Sequence, residues 1–181
     1  MLTRTFAALL IGCLVTPPLA GATERENLQV FNDISKQVTT YPWFTIFDDV
    51  SATIDDGVVT LTGKVTMPFK AADIEKRVAK IEGVREVRNR IEALPVSQFD
   101  DDLRLRVAQA IYGHPVFWNY AIRMDPPIHI VVDRGHVTLT GVVDNDSDRL
   151  IARSLASSSL AFSVEDALKT TVEATRDLEG I

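Results

Sequence analysis

The residues that could carry metal chemistry in this 181-residue chain are few and poorly grouped. The three histidines are His114, His129 and His136. Zinc sites need several ligands at short spacings, and neither C-x-x-C nor H-E-x-x-H is present. The acidic run 144–148 begins like a calcium loop, but Arg149 stands where that loop needs glycine and Leu155 where it needs glutamate. Helix capping by Asp146 or Ser147 explains these acids better, so we expect no metal and no cofactor.

Motifs of enzymatic catalysis are also missing from the sequence. It contains no G-x-S-x-G, no phosphate-binding loop and no dinucleotide fingerprint. The acidic pairs at 48–49 and 55–56 fall at turn positions, where carboxylates are ordinary. We therefore expect a protein that is not an enzyme. The alternative is an enzyme, namely a hydrolase or metal-dependent enzyme that uses the 144–148 loop.

Four basic residues fall in one predicted helix, opposite its apolar face. They are Lys70, Lys76, Arg77 and Lys80. Each base near an anionic surface contributes about 1 kcal/mol, so this helix could contact lipid phosphates. A solvated helix face is the plain alternative. A third is that the segment 64–90, with eight bases against four acids, faces the acid-rich segment 142–181, within a chain or between chains.

An aromatic cluster follows the first predicted helix in each half of the chain. The clusters are Trp43, Phe44 and Phe47, and then Phe117, Trp118 and Tyr120. Small domains need bulky core residues, so at least half of these side chains should be buried. Sequence neighbours cannot easily all point inward, and an exposed tryptophan suits a membrane interface or a partner groove. We take Trp43, Phe117 and Trp118 as candidate contact residues.

The elements that must position these residues are repeated. The stretch 56–63 recurs at 134–141, 78 residues later, as G-x-V-T-L-T-G. In each copy the first glycine suits a tight turn, and the second suits a sharp bend or a close approach of the backbone. These glycines are Gly57, Gly63, Gly135 and Gly141. The apolar runs 50–54 and 128–132 before the copies predict an antiparallel hairpin in each half.

A helix is predicted before and after each hairpin. The first, at 27–38, shows an amphipathic pattern with Asn27 as N-cap. Gly83 ends the helix that starts at Pro68. A third apolar run follows at 84–94 and again at 164–168, and its offset of 77 implies a one-residue deletion in the second copy. Because strand, helix and return strand favour a right-handed crossover, the third strand should run parallel to the second.

The order of these elements resembles the BON domain. Its pattern is a helix, a strand, a G-x-V-T-L-x-G strand, a helix and a G-V-x-x-V-x-N-x-I strand. Segment 83–91 matches the ending closely, whereas Leu160 replaces the glycine and Asp166 the asparagine in the second copy, which leaves the form of that turn open. We expect an α+β chain of two tandem αββαβ units, each a three-stranded mixed sheet with two helices on one face.

The resemblance covers residues 27–171 and implies a binding protein without catalysis. Proteins of this kind associate with phospholipid surfaces and support envelope integrity or osmotic-stress tolerance, so an anionic phospholipid or an envelope protein is the expected partner. The alternative is a protein-interaction or chaperone-like adaptor that meets its partner through sheet edges or the aromatic clusters. The net charge of −6 argues against nucleic-acid binding.

The first 22 residues resemble a secretory signal peptide. Residues 6–15 form an apolar run too short for an ordinary spanning helix, and the small residues 20–22 suit cleavage. We predict a periplasmic protein with no transmembrane helix in the mature chain, or a lipoprotein anchored through Cys13. The predicted divisions are a signal peptide at 1–22, BON domains at 23–94 and 99–171, a linker at 95–98 and a polar tail at 172–181 that prolongs the last strand or forms a short helix.

Overall fold

The computed structural model describes residues 20–179, in which the secondary structure forms two successive units. Apart from residues 20–22, the predicted signal peptide lies outside this range, as does Cys13. The first unit contains α1 (Ala20–Thr39), β1 (Asp49–Asp55), β2 (Val58–Val65), α2 (Pro68–Val78) and β3 (Glu86–Ala93). The second contains α3 (Gln98–Tyr112), a 3-10 turn (Pro115–Phe117), α4 (Trp118–Ala121), β4 (Ile128–Asp133), β5 (His136–Val143), α5 (Asp146–Ser157), β6 (Ser163–Thr170) and α6 (Thr171–Glu179).

Each unit has one three-stranded mixed sheet, as the repeats and the crossover predict. In the first sheet, β2 lies between β1, which is antiparallel to it, and β3, which is parallel. The second sheet places β5 between β4 and β6 in the same way. Val58 pairs with Glu86, whereas its counterpart His136 pairs with Ser163, so the second crossover is one residue shorter. The predicted fold class and the one-residue deletion are confirmed.

Gly63 and Gly141 allow the central strand of each sheet to pass close to its antiparallel neighbour. Their φ angles are +126° and +108°, in the range that favours glycine. A Cβ atom at Gly63 would collide with the carbonyl oxygen of Asp49, and one at Gly141 would collide with that of Pro127. Of the two alternatives predicted for these glycines, a sharp bend or a close backbone approach, the structure shows the close approach.

Alternating residues of the central strands build a separate core in each unit. Val59, Leu61 and Val65 of β2 are buried against Ile74 and Val78 of α2. In the second core, Val137, Leu139 and Val143 of β5 are buried with Leu103, Val107 and Ile111 of α3 and with Ala152 and Ala156 of α5. Each fully buried valine, leucine or isoleucine side chain stabilises the fold by about 1.5–3 kcal/mol, so the sheet and its helices depend on each other.

Four helix ends differ from the sequence predictions or decide between them. α2 ends at Val78 and its C-cap is Ala79, so the prediction that Gly83 ends this helix is wrong. α1 begins at Ala20, so Asn27 lies inside the helix and is not its N-cap. Asn145 caps α5 by accepting a hydrogen bond from the Asp148 N–H at 2.9 Å, so the prediction of Asp146 or Ser147 is wrong. An N-cap needs extended backbone, which Asn145 has, whereas Asp146 is already helical. The tail forms α6 directly after β6, the second of the two forms predicted for it.

The turn before β6 is retained although its glycine is lost. Leu160 has a φ of +66°, in the left-handed region where Gly83 of the first unit has +90°. The Leu160 side chain is 78% exposed, so it gains little from burial. Since a side chain in this region costs roughly 1–2 kcal/mol, the surrounding fold imposes the turn on an unfavourable residue.

The two units touch where the segment before β1 meets the outer edge of β4. The Ile130 N–H donates to the Ile46 carbonyl at 2.7 Å, and His129 donates from Nδ1 to the Asp48 carbonyl at 2.6 Å. Phe47 of the first unit packs against the core of the second. Side chains add a Lys64–Asp133 ion pair at 2.6 Å and a Thr140–Asp49 hydrogen bond at 3.0 Å. The contact between the units is therefore both polar and apolar.

Candidate functional site

One exposed face of α2 combines aromatic and basic side chains. Phe69, Lys76 and Lys80 follow one another at spacings of seven and four residues, which places them in one line along the helix and the turn after it. Trp43, from the loop after α1, meets the Phe69 ring edge to face at a centroid distance of 6.2 Å. The side chains of Trp43 and Lys76 are largely exposed. These four residues are called the α2 face below.

Lys70 does not belong to the α2 face. Its side chain is buried, and its Nζ lies 2.7 Å from Asp48 Oδ2. Because Ile74 lies four residues further on and is buried in the core, Lys70 shares the inward side of the helix. The prediction that Lys70 stands opposite the apolar face with the other three bases is therefore wrong.

Asp48 is the centre of a buried polar network that the sequence analysis missed. Its carboxylate accepts hydrogen bonds from Lys70, from the backbone and hydroxyl of Thr66, and from the backbone and hydroxyl of Thr45, at 2.7–2.9 Å. Burial alone would raise the pKa of Asp48, but the bonds from Lys70 and Thr66 outweigh burial and hold the pKa below its ordinary value. The sequence signal was present, since Lys70 lies in register with the inward Ile74.

Arg77 is held between α1 and α2 by contacts with uncharged groups. Its guanidinium carbon lies 5.0 Å from the centre of the Tyr41 ring, and Nη1 donates to the backbone carbonyl and side-chain oxygen of Gln37 at 3.4 and 3.3 Å. Tyr41 donates to Asp73 Oδ2 at 2.8 Å. Burial and this bond to Asp73 raise the pKa of Tyr41 to about 12. Arg77 therefore has a fixed position on the surface.

The aromatic cluster of the second unit divides between core and surface. Phe117 and Tyr120 are buried, whereas Trp118 is 69% exposed. The 3-10 turn ends at Phe117 and directs its ring into the core, which leaves the next residue outside. The prediction of Phe117 as a contact residue is therefore wrong, and Trp118 stays a candidate. Phe44 and Phe47 are half-buried, so two of the six aromatic side chains are buried, fewer than the predicted half.

The histidines His129 and His136 and the acidic run 144–148 form structural contacts within the fold. His129 lies in the contact between the units, while Nδ1 of His136 lies 2.7 Å from Ser163 Oγ. Asp148 accepts a hydrogen bond from Tyr120 Oη at 2.7 Å, and Asp146 pairs with Arg149 at 2.6 Å. Across residues 20–179, no three His, Cys, Asp or Glu side chains gather as metal ligands.

Within the part of the chain that the structure describes, the base-rich segment 64–90 and the acid-rich segment 142–181 form no ion pair with each other. Among the residues that the structure describes, the one ion pair between the units joins Lys64 to Asp133. Acids of the second segment pair within their own unit, as in Arg149–Glu173 at 3.2 Å and Lys169–Asp177 at 2.6 Å. The bases of α2 thus form no ion pair with described residues of the second unit.

A mostly apolar groove of about 580 Å³ runs between the units. Its walls include Ile34 and Val38 of α1, Val50 and Ala52 of β1, and Val142 of β5. The outer edge of β1 borders it, and within the described part of the chain no strand pairs with that edge. The described helices include none that is long and apolar enough to cross a membrane.

Comparison with known proteins finds the repeated unit elsewhere. The model of the family described as BON domain matches residues 33–95 and 100–169. No curated protein matches the chain. A solved structure of CdsD, a structural protein of the type III secretion system of Chlamydia trachomatis, shares 16% identity over 83% of this chain and 97% of that chain, with a TM-score of 0.30. A structure of the CdsD C-terminal domain shares 17% identity over 77% of this chain and 64% of that chain, with a TM-score of 0.31.

Proposed function

This chain belongs to the BON domain family, which is matched in both units, and from that premise we propose that it binds anionic phospholipid surfaces. Family membership supports the coarser statement, a non-catalytic role associated with the cell envelope. The finer proposal is a periplasmic protein that supports envelope integrity or osmotic-stress tolerance. Anchoring through Cys13 is the alternative form of attachment.

The α2 face is the observation that carries this proposal. Its aromatic pair, Trp43 and Phe69, lies at the start of the helix, and the bases Lys76 and Lys80 lie at its end. Aromatic rings favour the boundary between headgroups and acyl chains, while lysines favour the phosphates. Lys76 is only loosely paired, with Asp73 at 3.8 Å, so its charge remains available to an anionic surface.

Co-flotation with lipid vesicles tests the proposal. We expect the protein to float with anionic vesicles at low salt and to dissociate as salt screens the charges, since the screening length falls to about 3 Å at 1 M. Zwitterionic vesicles should bind much less protein. Lys76→Glu together with Lys80→Glu should weaken association on the order of tenfold or more, because each reversal replaces an attraction with a repulsion.

A matched control separates the α2 face from net charge. Arg88→Glu with Arg90→Glu makes the same change in charge on the exposed side of β3, away from α2. This control should retain most of the flotation. Equal losses in the two double variants would show that the α2 face is not the lipid-binding surface, and no flotation by the unchanged protein would exclude direct lipid binding.

A protein-interaction or chaperone-like adaptor is the second candidate, and the groove between the units favours it. An extended peptide could pair with the outer edge of β1 while its side chains enter the apolar groove. Ser51 is exposed and lines the groove, so Ser51→Arg would obstruct it without disturbing the core. For an adaptor, Ser51→Arg or Trp118→Ala should impair growth under osmotic stress while flotation stays normal. For a lipid-binding protein, the Lys76 and Lys80 double variant should impair both.

A further inference from the structure

A polar cleft of about 490 Å³ lies between α1 and α2, beside the α2 face, with which it shares Lys80. Its charged lining consists of Lys36, Arg77, Lys80, Asp33 and Glu82. Lys36 comes from α1, so the cleft joins bases from two helices, whereas Lys76 does not line it. Three bases against two acids leave the cleft with a positive excess.

The three bases are free to meet a ligand. Among the residues that the structure describes, none of them forms an ion pair within 4.0 Å with Asp33, Glu82 or another acid. Arg77 is oriented by Tyr41 and Gln37, and its described hydrogen bonds use Nη1 alone. Arg77 is half-buried, and among the described residues no hydrogen bond uses its Nε or Nη2. The planar fork of a guanidinium suits two oxygens of one phosphate.

We propose that this cleft binds a phosphate group, with Arg77 as a two-point donor and Lys36 and Lys80 as flanking charges. This inference rests on the proposed function, because the phosphate that the cleft binds is that of a phospholipid headgroup. The same chemistry would accept a soluble phosphate monoester. Because Asp33 and Glu82 offset much of the positive charge, recognition depends on the fixed geometry of Arg77 rather than on charge alone.

The chain offers matched pairs of variants for the test. Lys36→Ala removes a base from the cleft, while Lys76→Ala removes one from the adjacent exposed surface. Glu82→Gln removes an acid from the cleft, and Glu92→Gln removes an exposed acid on β3. All four side chains are polar and lie outside the cores, so the variants should fold.

The experiment titrates the purified protein with inorganic phosphate and with glycerol phosphate, follows backbone amide shifts by NMR, and measures flotation with anionic vesicles. We expect shifts confined to the facing parts of α1 and α2 around Lys36 and Arg77. Lys36→Ala should weaken both phosphate binding and flotation by about fivefold, and Lys76→Ala should leave the phosphate shifts unchanged. Glu82→Gln should strengthen phosphate binding, whereas Glu92→Gln should not.

Failure of the cleft and failure of lipid binding give different results. Suppose that the protein floats without localised phosphate shifts, and that Lys36→Ala and Lys76→Ala lower flotation equally. Phosphate binding by the cleft would then be overturned, while lipid binding would stand. Localised shifts that depend on Lys36, without flotation, would uphold the cleft for a soluble phosphate and overturn the headgroup as its source. Neither shifts nor flotation would overturn both.

Discussion

Lys70 Nζ and Asp48 Oδ2 form an ion pair at 2.7 Å in which both side chains are almost completely buried. The pair ties the start of α2 to the segment that precedes β1. In the second unit Asp148 stands at the position of Lys70, 78 residues later, and accepts a hydrogen bond from Tyr120 Oη at 2.7 Å. The two repeats therefore fix the same helix start with different chemistry.

Replacing Lys70 should destabilise the first unit strongly. Lys70→Met leaves the Asp48 carboxylate buried without its countercharge, which costs about 3–5 kcal/mol. Urea unfolding followed by circular dichroism measures the change in the free energy of unfolding. Lys76→Met on the exposed side of α2 is the control and should change it by less than about 0.5 kcal/mol. Similar losses for the two variants would show that the buried pair does not stabilise the unit.

The pH dependence of stability follows from the same carboxylate. Since the folded state holds the pKa of Asp48 below its ordinary value, its contribution is complete above the unfolded-state pKa of about 3.9 and is lost as pH falls through the folded-state pKa. The hydrogen bond from Lys64 likewise lowers the pKa of Asp133, so it contributes with the same sign. We expect the free energy of unfolding to fall as pH is lowered from about 5 to 2. Asp48→Asn should make this fall shallower, and an unchanged slope would contradict the assignment.

The hairpins and the crossover could be predicted because their determinants are local. In the first hairpin, Gly57 lies in the turn and Gly63 allows the close approach of β1, and the alternation at Val59 and Leu61 decides which side of β2 faces the core. These signals lie within a few residues of one another. The second repeat contains the same signals, which supports each prediction independently.

The buried pair and the contact between the units depend on packing that no short stretch records. The charge of Lys70 favours a surface position in the sequence. Its buried partner, Asp48, lies 22 residues earlier, so no local pattern indicates the pair. Phe117 and Trp118 are neighbouring large aromatic residues that the sequence does not distinguish. A single 3-10 turn decides which of them enters the core. The placement of Phe47 in the core of the other unit required the three-dimensional arrangement.

Restoring glycine at the turn before β6 should stabilise the second unit. Leu160 is in the left-handed region with an exposed side chain, so Leu160→Gly relieves backbone strain and loses little contact. The greater flexibility of glycine in the unfolded chain offsets part of this relief. We therefore expect the free energy of unfolding to rise by roughly 0.5–1 kcal/mol, as measured by thermal or urea unfolding. Leu160→Ala removes the side chain but keeps a Cβ atom, so it should give no such gain. An equal gain from alanine would attribute the effect to the exposed leucine rather than to the backbone.

Asn89 shows why the first repeat has an amide in the middle of its last strand. Its Nδ2 donates to the Ala71 carbonyl and to Glu75 Oε2, both at 2.9 Å, and thereby joins β3 to α2. Asn89→Asp replaces this donor with a carboxylate facing two acceptors, so it should destabilise the first unit by about 2 kcal/mol in urea unfolding. Asp166 is the counterpart in the second repeat, where its Oδ1 accepts from the Leu168 N–H at 3.2 Å.

Asp166→Asn is the reciprocal control, because it preserves that acceptor and removes a charge. It should change stability by less than about 0.5 kcal/mol. A small effect in both variants would mean that the amide does not join strand to helix. A large effect at Asn89 alone would show that the two repeats, though alike in fold, use this position differently, since only the first connects it to the helix through an amide.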